Sequence, residues 1–252
     1  MKAHGIFMAS NYVNTMNELS GCLNDAHDLY KLCAPKLNTA TKLLGRKASR
    51  DGIIKAVRKV LHDLGPGDLA FLTFSGHGTQ DTDTSGDEAS GQDQALVCDG
   101  FDLIFDDELA PVINDRDKDS WVIALLDCCH SQSLHRGVHS NRPRTMPFRK
   151  CKRHKRGPAY PNPRALRKAG FIAGCEEDSY SYDAWFDGRA NGALTYYTIK
   201  AIKELKRGAT FNDLFQKIGG KRPRGYLPSD DYPQSPQKMG AAANFARKIP
   251  FL

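Results

Sequence analysis

The chain has 252 residues, of which 40% are hydrophobic and 26% charged, enough to build one substantial core. No stretch approaches the roughly 18 apolar residues needed to cross a bilayer, and the first ten residues lack the layout of a secretory signal. The seven cysteines form no Cys-x-x-Cys pair, which argues against a zinc site or a thioredoxin-type site. The length of the chain and the missing secretory signal argue against a disulfide framework. These features predict a cytoplasmic protein with no membrane partner and no organic cofactor.

The net charge of +7 comes from one part of the chain. Residues 142–168 hold 11 Lys or Arg and no Asp or Glu, which leaves 25 basic and 29 acidic residues elsewhere. The protein is therefore a mildly acidic body with one basic insert. This distribution argues against a nucleic-acid-binding domain.

Apolar runs alternate with helical patterns along the chain. The runs typical of buried parallel strands lie at 5–10, 68–74, 95–98, 121–127 and 170–174. Helical spacing is found at 24–32 with Asn24 as N-cap, at 50–64 with Ser49 as N-cap, and at 106–114, 192–206 and 211–218. Such alternation predicts an α/β fold around a mostly parallel sheet, with an active site beyond the carboxyl ends of the strands.

Two predicted strands end in chemically reactive side chains. Because side chains alternate along an extended segment, Ser75 and His77 share one face, and so do Asp127 and Cys129. An isolated Ser-Gly-His-Gly is more often a turn, and an isolated Cys-Cys is more often core. Their occurrence together, at the ends of two predicted parallel strands, favours a single catalytic crevice.

A cysteine and a histidine in one crevice suit nucleophilic catalysis. The thiolate is the reactive form of cysteine, and a histidine can activate it and then protonate the leaving amine. The backbone N–H groups of Gly78 and Cys129 are candidates for the oxyanion hole. The chemistry alone does not choose between Cys128 and Cys129, but strand alternation directs Cys128 into the packing of the sheet.

Several segments, in this order, resemble the metacaspases of the caspase-like clan of cysteine peptidases. They are LSGCLNDA at 19–26, FSGHGTQ at 74–80, GDE at 86–88, GQDQA at 91–95, DCCHS at 127–131, AGC at 173–175 and NGALT at 191–195. The resemblance implies a caspase-like three-layer sandwich in which helices flank a mostly parallel central sheet. It also implies a peptidase acting on proteins or peptides, and we expect a monomer.

The resemblance also implies roles for individual residues. The nucleophile is the second cysteine, Cys129, and cleavage follows Arg or Lys. Asp25, Ser75 and Asp127 form the pocket for the basic side chain, and carboxylates are sensible receptors for guanidinium or ammonium.

Many metacaspases are activated by calcium, and the matching acidic positions here are Asp93, Asp106 and Asp107. Carboxylate oxygens suit this hard cation. The alternative for Asp106 and Asp107 is a helix N-terminus that favours acids. The chain also departs from the family pattern, because Leu134-His135-Arg136 stands where a further acidic residue is common.

The resemblance divides the single domain into a large-subunit-like part (1–135), a basic linker (136–168) and a small-subunit-like part (169–252). An Arg/Lys-directed protease could cut itself in the linker, at Arg149, Lys150, Arg153 or Arg156, or the linker could occupy the acidic pocket as an autoinhibitor. The alternatives are a solvated loop and a nucleic-acid patch.

Two further functions stay open at this point. One is a non-catalytic caspase-like scaffold that binds partners through its pocket and linker. The other is an esterase or transferase built on the same pair of residues.

Overall fold

The computed structural model describes residues 1–82, 91–129, 142–152, 168–174, 181–219 and 225–252. Its strands are β1 (Ala3–Ala9), β2 (Thr39–Leu44), β3 (Leu69–Ser75), β4 (Gly78–Thr82), β5 (Gln92–Val97), β6 (Leu103–Phe105), β7 (Trp121–Asp127), β8 (Arg142–Pro143), β9 (Ala169–Ala173), β10 (Tyr182–Phe186), β11 (Arg189–Gly192) and β12 (Gln237–Met239). Its α-helices are α1 (Cys22–Cys33), α2 (Arg50–His62), α3 (Asp106–Asn114), α4 (Ala193–Glu204), α5 (Phe211–Gly219) and α6 (Ala242–Phe245).

The central sheet has six strands in the order β12-β9-β7-β3-β1-β2. The pairs from β9 to β2 are parallel, and β12 runs antiparallel at one edge. In the two middle strands, Ser75 of β3 stands opposite Asp127 of β7 in the register. The carboxyl ends of the two strands therefore bring the Ser75 and Asp127 loops side by side.

Alternate side chains of the sheet pack into two apolar layers, one on each face. On β3, Leu69 and Phe71 belong to the layer that α1, α4 and α5 cover. Ala70 and Leu72 belong to the opposite layer, which α2 and α3 cover. Helices on both faces of a mostly parallel sheet confirm the predicted three-layer α/β sandwich.

Two small antiparallel sheets flank the central one. One has the order β4-β5-β6 and the other β11-β10-β8. The run at 95–98 was predicted as a parallel strand, and this was wrong, because it lies in β5 and pairs antiparallel with β4 and β6. A short buried apolar run looks the same in either setting, so its composition does not reveal the direction of pairing.

The predicted N-caps had different outcomes. Ser49 caps α2 by accepting a hydrogen bond from the Gly52 N–H at 3.3 Å, as predicted. Asn24 does not cap α1, which begins earlier, after Gly21. The Asn24 side chain instead donates to the Ala190 carbonyl at 2.8 Å, so a contact distant in sequence takes the amide that the local pattern had suggested for the cap.

Part of the predicted basic linker packs on the body. Residues 142–152 contain β8 and a short 3₁₀ helix, and Met146 within them is fully buried. Its charge alone indicates a solvated connection, but the segment also carries apolar residues that enter the core. Lys152 adds a backbone hydrogen bond to the Phe101 carbonyl at 2.8 Å.

Candidate active site

His77 is fixed by two groups from the loop after β1. Its Nε2 donates to the Asn17 carbonyl at 2.7 Å, and its backbone N–H donates to the Tyr12 hydroxyl at 2.8 Å. The Tyr12 hydroxyl in turn donates to the Val97 carbonyl at 2.5 Å, and the Tyr12 ring lies 4.7 Å from the imidazole. Because Nε2 donates its proton to a carbonyl, the neutral ring carries its lone pair on Nδ1.

The imidazole of His77 is buried, and burial lowers its pKa to about 4. The hydrogen bond to the Asn17 carbonyl acts in the opposite direction but is the smaller effect. His77 is therefore neutral at physiological pH, which is the state that a general base requires.

Cys129 lies directly beyond β7 and is completely buried. Its thiol lies 3.2 Å from the Ser181 carbonyl and also contacts the Ser181 N–H. Cys128 joins the apolar layer on the other side of the sheet, together with Phe74 and Ile104. Of the two cysteines, Cys129 therefore lies on the same side as the site.

The chain's own Arg144 occupies the site. Its carbonyl oxygen accepts from the Gly78 N–H at 3.0 Å and from the Cys129 N–H at 3.1 Å. These are the two donors that the sequence suggested for an oxyanion hole. Two N–H groups that converge on one carbonyl oxygen beside a cysteine form the arrangement used to stabilise a tetrahedral intermediate.

The side chain of Arg144 is fully buried among the predicted pocket residues. Its Nη2 lies 2.8 Å from Asp25 Oδ2. Its Nη1 donates to the Ser75 hydroxyl at 2.7 Å and lies 3.4 Å from Asp127 Oδ2. Asp25, Ser75 and Asp127, which the sequence assigned to one pocket, thus surround one guanidinium.

The two pocket carboxylates are also held by protein donors. Asp25 accepts from the Ser75 hydroxyl at 2.7 Å and from the Gly192 N–H at 2.9 Å. Asp127 accepts from the Ser181 hydroxyl at 2.5 Å and from the Thr195 N–H at 2.9 Å. Burial nevertheless raises the pKa of Asp25 above its ordinary value, while the positive charge of Arg144 opposes that rise.

The backbone around Arg144 runs through the crevice as an added strand. Residues 142–143 form β8, which pairs antiparallel with β10. The Arg144 N–H donates to the Ser181 carbonyl at 3.0 Å, and the Met146 N–H donates to the Gly78 carbonyl at 2.9 Å. Strand addition of this kind is a common way for a protein to bind an extended peptide.

Sequence reasoning missed several residues of the site. Arg144 was counted only within a basic run, and Asp183, whose Oδ1 lies 2.9 Å from Arg144 Nη2, was not singled out. Asn17 acts through its backbone carbonyl, so its residue type carries no signal. Tyr12 has a left-handed φ of 52°, which in a bulky residue usually marks a constraint, but this conformation is visible only in the structure.

The charges of Asp93 and Asp107 act on Asp106, but within the described residues the three predicted calcium ligands do not form a metal-binding group. Asp93 is buried. Burial raises the pKa of Asp106 to about 7, and the charges of Asp107 and Asp93 add to the rise. In the described part of the chain, no three His, Cys, Asp or Glu side chains are grouped so that they could hold a metal ion. Calcium binding therefore stays a prediction, and residues 86–88 and 134–136 lie outside the described residues.

The predicted processing residues lie away from the pocket or outside the described chain. The backbone of Arg149 belongs to the 3₁₀ helix at Phe148–Lys150. Lys150 is exposed, and its Nζ donates to Asn17 Oδ1 at 3.2 Å. Arg153 and Arg156 lie outside the described residues. The basic residue in the pocket is Arg144.

The three-layer sandwich, with a histidine and a cysteine at the ends of neighbouring strands, defines a caspase-type protein. The caspase domain model, Peptidase_C14, matches residues 5–237, so the chain belongs to the caspase domain family. Within the residues that the structure describes, no helix is both long and apolar enough to cross a membrane.

Curated relatives agree with this family, and a solved structure shares the fold. Metacaspase-1 of Saccharomyces cerevisiae (strain YJM789) is 31% identical over 143 residues, which cover 51% of this chain and 33% of that protein. Metacaspase-5 of Trypanosoma brucei brucei is 27% identical over 267 residues, which cover 94% of this chain and 50% of that protein. The matches thus span a third to a half of these two relatives. The crystal structure of protein GSU0716 from Geobacter sulfurreducens has the same fold, with a TM-score of 0.69 at 23% identity over 98% of this chain and 97% of that one.

Proposed function

We propose that the chain is a cysteine endopeptidase that cleaves peptide bonds after Arg or Lys, with Cys129 as nucleophile and His77 as general base and acid. The observation that carries this proposal is the position of Arg144. Its guanidinium lies in an acidic pocket while its carbonyl oxygen accepts from the Gly78 and Cys129 N–H groups. A substrate arginine held in the same way would present its carbonyl carbon to the thiolate.

The reaction follows from this geometry. The free Nδ1 of His77 takes the thiol proton of Cys129, and the thiolate adds to the carbonyl carbon. The two N–H donors stabilise the oxyanion. As the C–N bond breaks, His77 returns the proton to the leaving amine and a thioester forms on Cys129. Water then attacks the thioester and passes a proton to His77. The C–S bond breaks, which releases the product acid, and His77 returns the proton to the Cys129 thiolate.

A fluorogenic peptide ending in arginine tests the proposal. We expect turnover by the native chain and at least a thousandfold loss in Cys129→Ala. The adjacent Cys128→Ala is the matched control, because it removes the same group from the opposite face of the sheet and should leave most of the turnover. Equal turnover in Cys129→Ala and the native chain would refute the assignment. No turnover in any form would favour the non-catalytic scaffold instead.

We further propose that the chain cuts itself between Arg144 and Thr145, and that the uncut segment acts as an inhibitor. The support is that Arg144 fills the pocket and its peptide carbonyl occupies the oxyanion site. Sequencing of new N-termini after incubation should find a fragment beginning at Thr145. Arg144→Gln should abolish that cut, whereas Lys150→Gln should retain it. A product beginning only after Arg149, Lys150, Arg153 or Arg156 would contradict this site and support the linker sites predicted from the sequence.

Calcium activation is proposed on narrower grounds. Burial is the main cause of the raised pKa of Asp106, and the charges of Asp107 and Asp93 add to it, so a bound cation would offset the repulsion between these carboxylates. Calorimetric titration with calcium ions should show binding that Asp106→Asn weakens. The exposed Asp51→Asn is the control, because that carboxylate lies at the surface of α2 and is not one of the three predicted ligands. If calcium produces no binding heat, calcium activation is refuted, while the proposed peptidase function still stands.

A further inference from the structure

The pocket contains a third carboxylate, Asp183, at the start of β10. Its side chain is almost fully buried, and Oδ1 accepts from Arg144 Nη2 at 2.9 Å. Asp183 pairs with Gly192 across the β10–β11 hairpin. The small-subunit-like part thus supplies an acidic wall opposite Asp25, which comes from α1.

The contacts distinguish the two terminal nitrogens of the guanidinium. Nη2 lies between Asp25 Oδ2 at 2.8 Å and Asp183 Oδ1 at 2.9 Å. Nη1 lies 2.7 Å from the Ser75 hydroxyl and 3.3 Å from the Asp127 carbonyl. Nη1 also lies 3.4 Å from Asp127 Oδ2. Each nitrogen therefore has its own set of neighbouring oxygens, so the pocket matches a forked, planar cation.

A lysine would fit these oxygens less well. Its ammonium nitrogen stands at the position that the guanidinium carbon takes in arginine, about 1.3 Å short of each terminal nitrogen. A single point charge there would face oxygens arranged around two separate positions, and would reach them only over longer distances or through water.

Gly192 provides the room for the guanidinium. A Cβ atom added there would lie 2.6 Å from Arg144 Cζ and would also collide with Nη1. The guanidinium therefore lies directly against backbone, and its plane has space only because position 192 carries no side chain.

We propose that Asp183 is a specificity-determining residue that makes the pocket select arginine over lysine. The inference rests on the proposed peptidase function and narrows its substrate class to peptides with arginine at the cleavage site.

Asp183 also binds the backbone ahead of α1, so the test must separate this structural role from the binding of the arginine side chain. It accepts from the backbone N–H groups of Ser20 at 2.7 Å and Gly21 at 2.9 Å, ahead of α1. Asp183→Asn keeps the size of the side chain and one carbonyl acceptor while it removes the charge. Asp187→Asn is the matched control, because Asp187 is exposed in the turn of the same hairpin, and asparagine tolerates its left-handed φ of 51°.

The experiment compares two fluorogenic peptides that differ only in arginine or lysine at the cleaved position. The native chain should show a kcat/KM for arginine at least about tenfold above that for lysine. Asp183→Asn should lower kcat/KM for arginine by roughly tenfold or more and that for lysine by less, since a buried hydrogen bond to a charged group is lost. The ratio should therefore fall, and Asp187→Asn should leave it unchanged.

Two results would overturn the inference while leaving the peptidase intact. One is equal kcat/KM for both peptides in the native chain. The other is an Asp183→Asn variant that loses both activities by the same factor, which is what a purely structural role predicts. If Asp183→Asn does not fold, the ratio of kcat/KM for the arginine peptide to that for the lysine peptide in the native chain still tests whether the pocket selects arginine.

A binding measurement makes the inference independent of catalysis. In a Cys129→Ala, Arg144→Gln chain, which neither cuts nor fills its own pocket with arginine, a fluorescent arginine peptide should bind at least tenfold more tightly than its lysine counterpart. Equal affinities would refute the selection. Absence of turnover with preserved selective binding would instead refute only the proposed peptidase.

Discussion

Replacement of Arg144 by glutamine should destabilise the uncut protein strongly. The guanidinium is fully buried and contacts three carboxylates, Asp25, Asp127 and Asp183. Removal of one partner of a buried ion pair typically costs 3–5 kcal/mol, because the remaining charges lose their compensation. Asp25 has a raised pKa and can take up a proton, so we expect the lower end, about 3 kcal/mol.

Thermal unfolding measures this loss directly. For a chain of this length, 1 kcal/mol corresponds to about 2–4 °C in Tm, so Arg144→Gln should lower Tm by about 6–12 °C. Both proteins must carry Cys129→Ala, so that self-cleavage does not alter the comparison. Lys150→Gln in the same background is the control, because Lys150 is an exposed cation of the same segment. A Tm for Arg144→Gln within 1–2 °C of the parent would refute the view that the segment is seated in the pocket in solution.

Three further predictions concern catalysis. Tyr12→Phe removes the hydroxyl that holds the His77 backbone, so kcat should fall about tenfold with little change in KM; an unchanged kcat would exclude a positioning role. Gly192→Ala should abolish cleavage after arginine in the peptide assay, because its Cβ would collide with Asp127 Oδ2 and overlap the guanidinium; full activity would contradict the pocket geometry. The kcat/KM for arginine peptides should fall as the pH drops below neutrality. Asp25 has a raised pKa, so it takes up a proton in this range and the pocket loses negative charge. His77 has a lowered pKa and stays unprotonated until about pH 4, so it does not cause the fall. A flat profile between pH 5 and 8 would contradict this order of titration.

The strands and helices with strong local patterns could be predicted from the sequence. The strand at Trp121–Asp127 is a continuous apolar run that ends in a carboxylate, and the structure has the same bounds. The helix at Asp106–Asn114 has acids in its first turn and was also predicted with its observed bounds. The first turn of the helix depends on neighbours within a few residues. The strand pairs with β3 and β9, which are distant in sequence, but its continuous apolar run indicates a buried strand without knowledge of those partners.

The acidic pocket could be predicted only in part, because its contacts join distant positions. Arg144 lies 69 residues from Ser75 and 39 residues from Asp183 along the chain. Its neighbours in sequence include Arg142, Pro143 and Pro147, so local composition suggests a solvated loop. Only the fold shows that this one arginine meets three carboxylates while Lys150 stays at the surface.

The burial of the pocket acids explains why the segment and the substrate must compete. Asp25 and Asp127 are fully removed from water, and carboxylates so placed are costly without a positive partner. In the uncut chain Arg144 supplies that charge, so a substrate arginine can enter only when Arg144 leaves. Cleavage after Arg144 would not by itself empty the pocket, since its side-chain contacts do not involve the broken bond. Release of the segment is therefore the step that would control access to the site, and full activity of the cut protein depends on substrate arginine replacing Arg144 there.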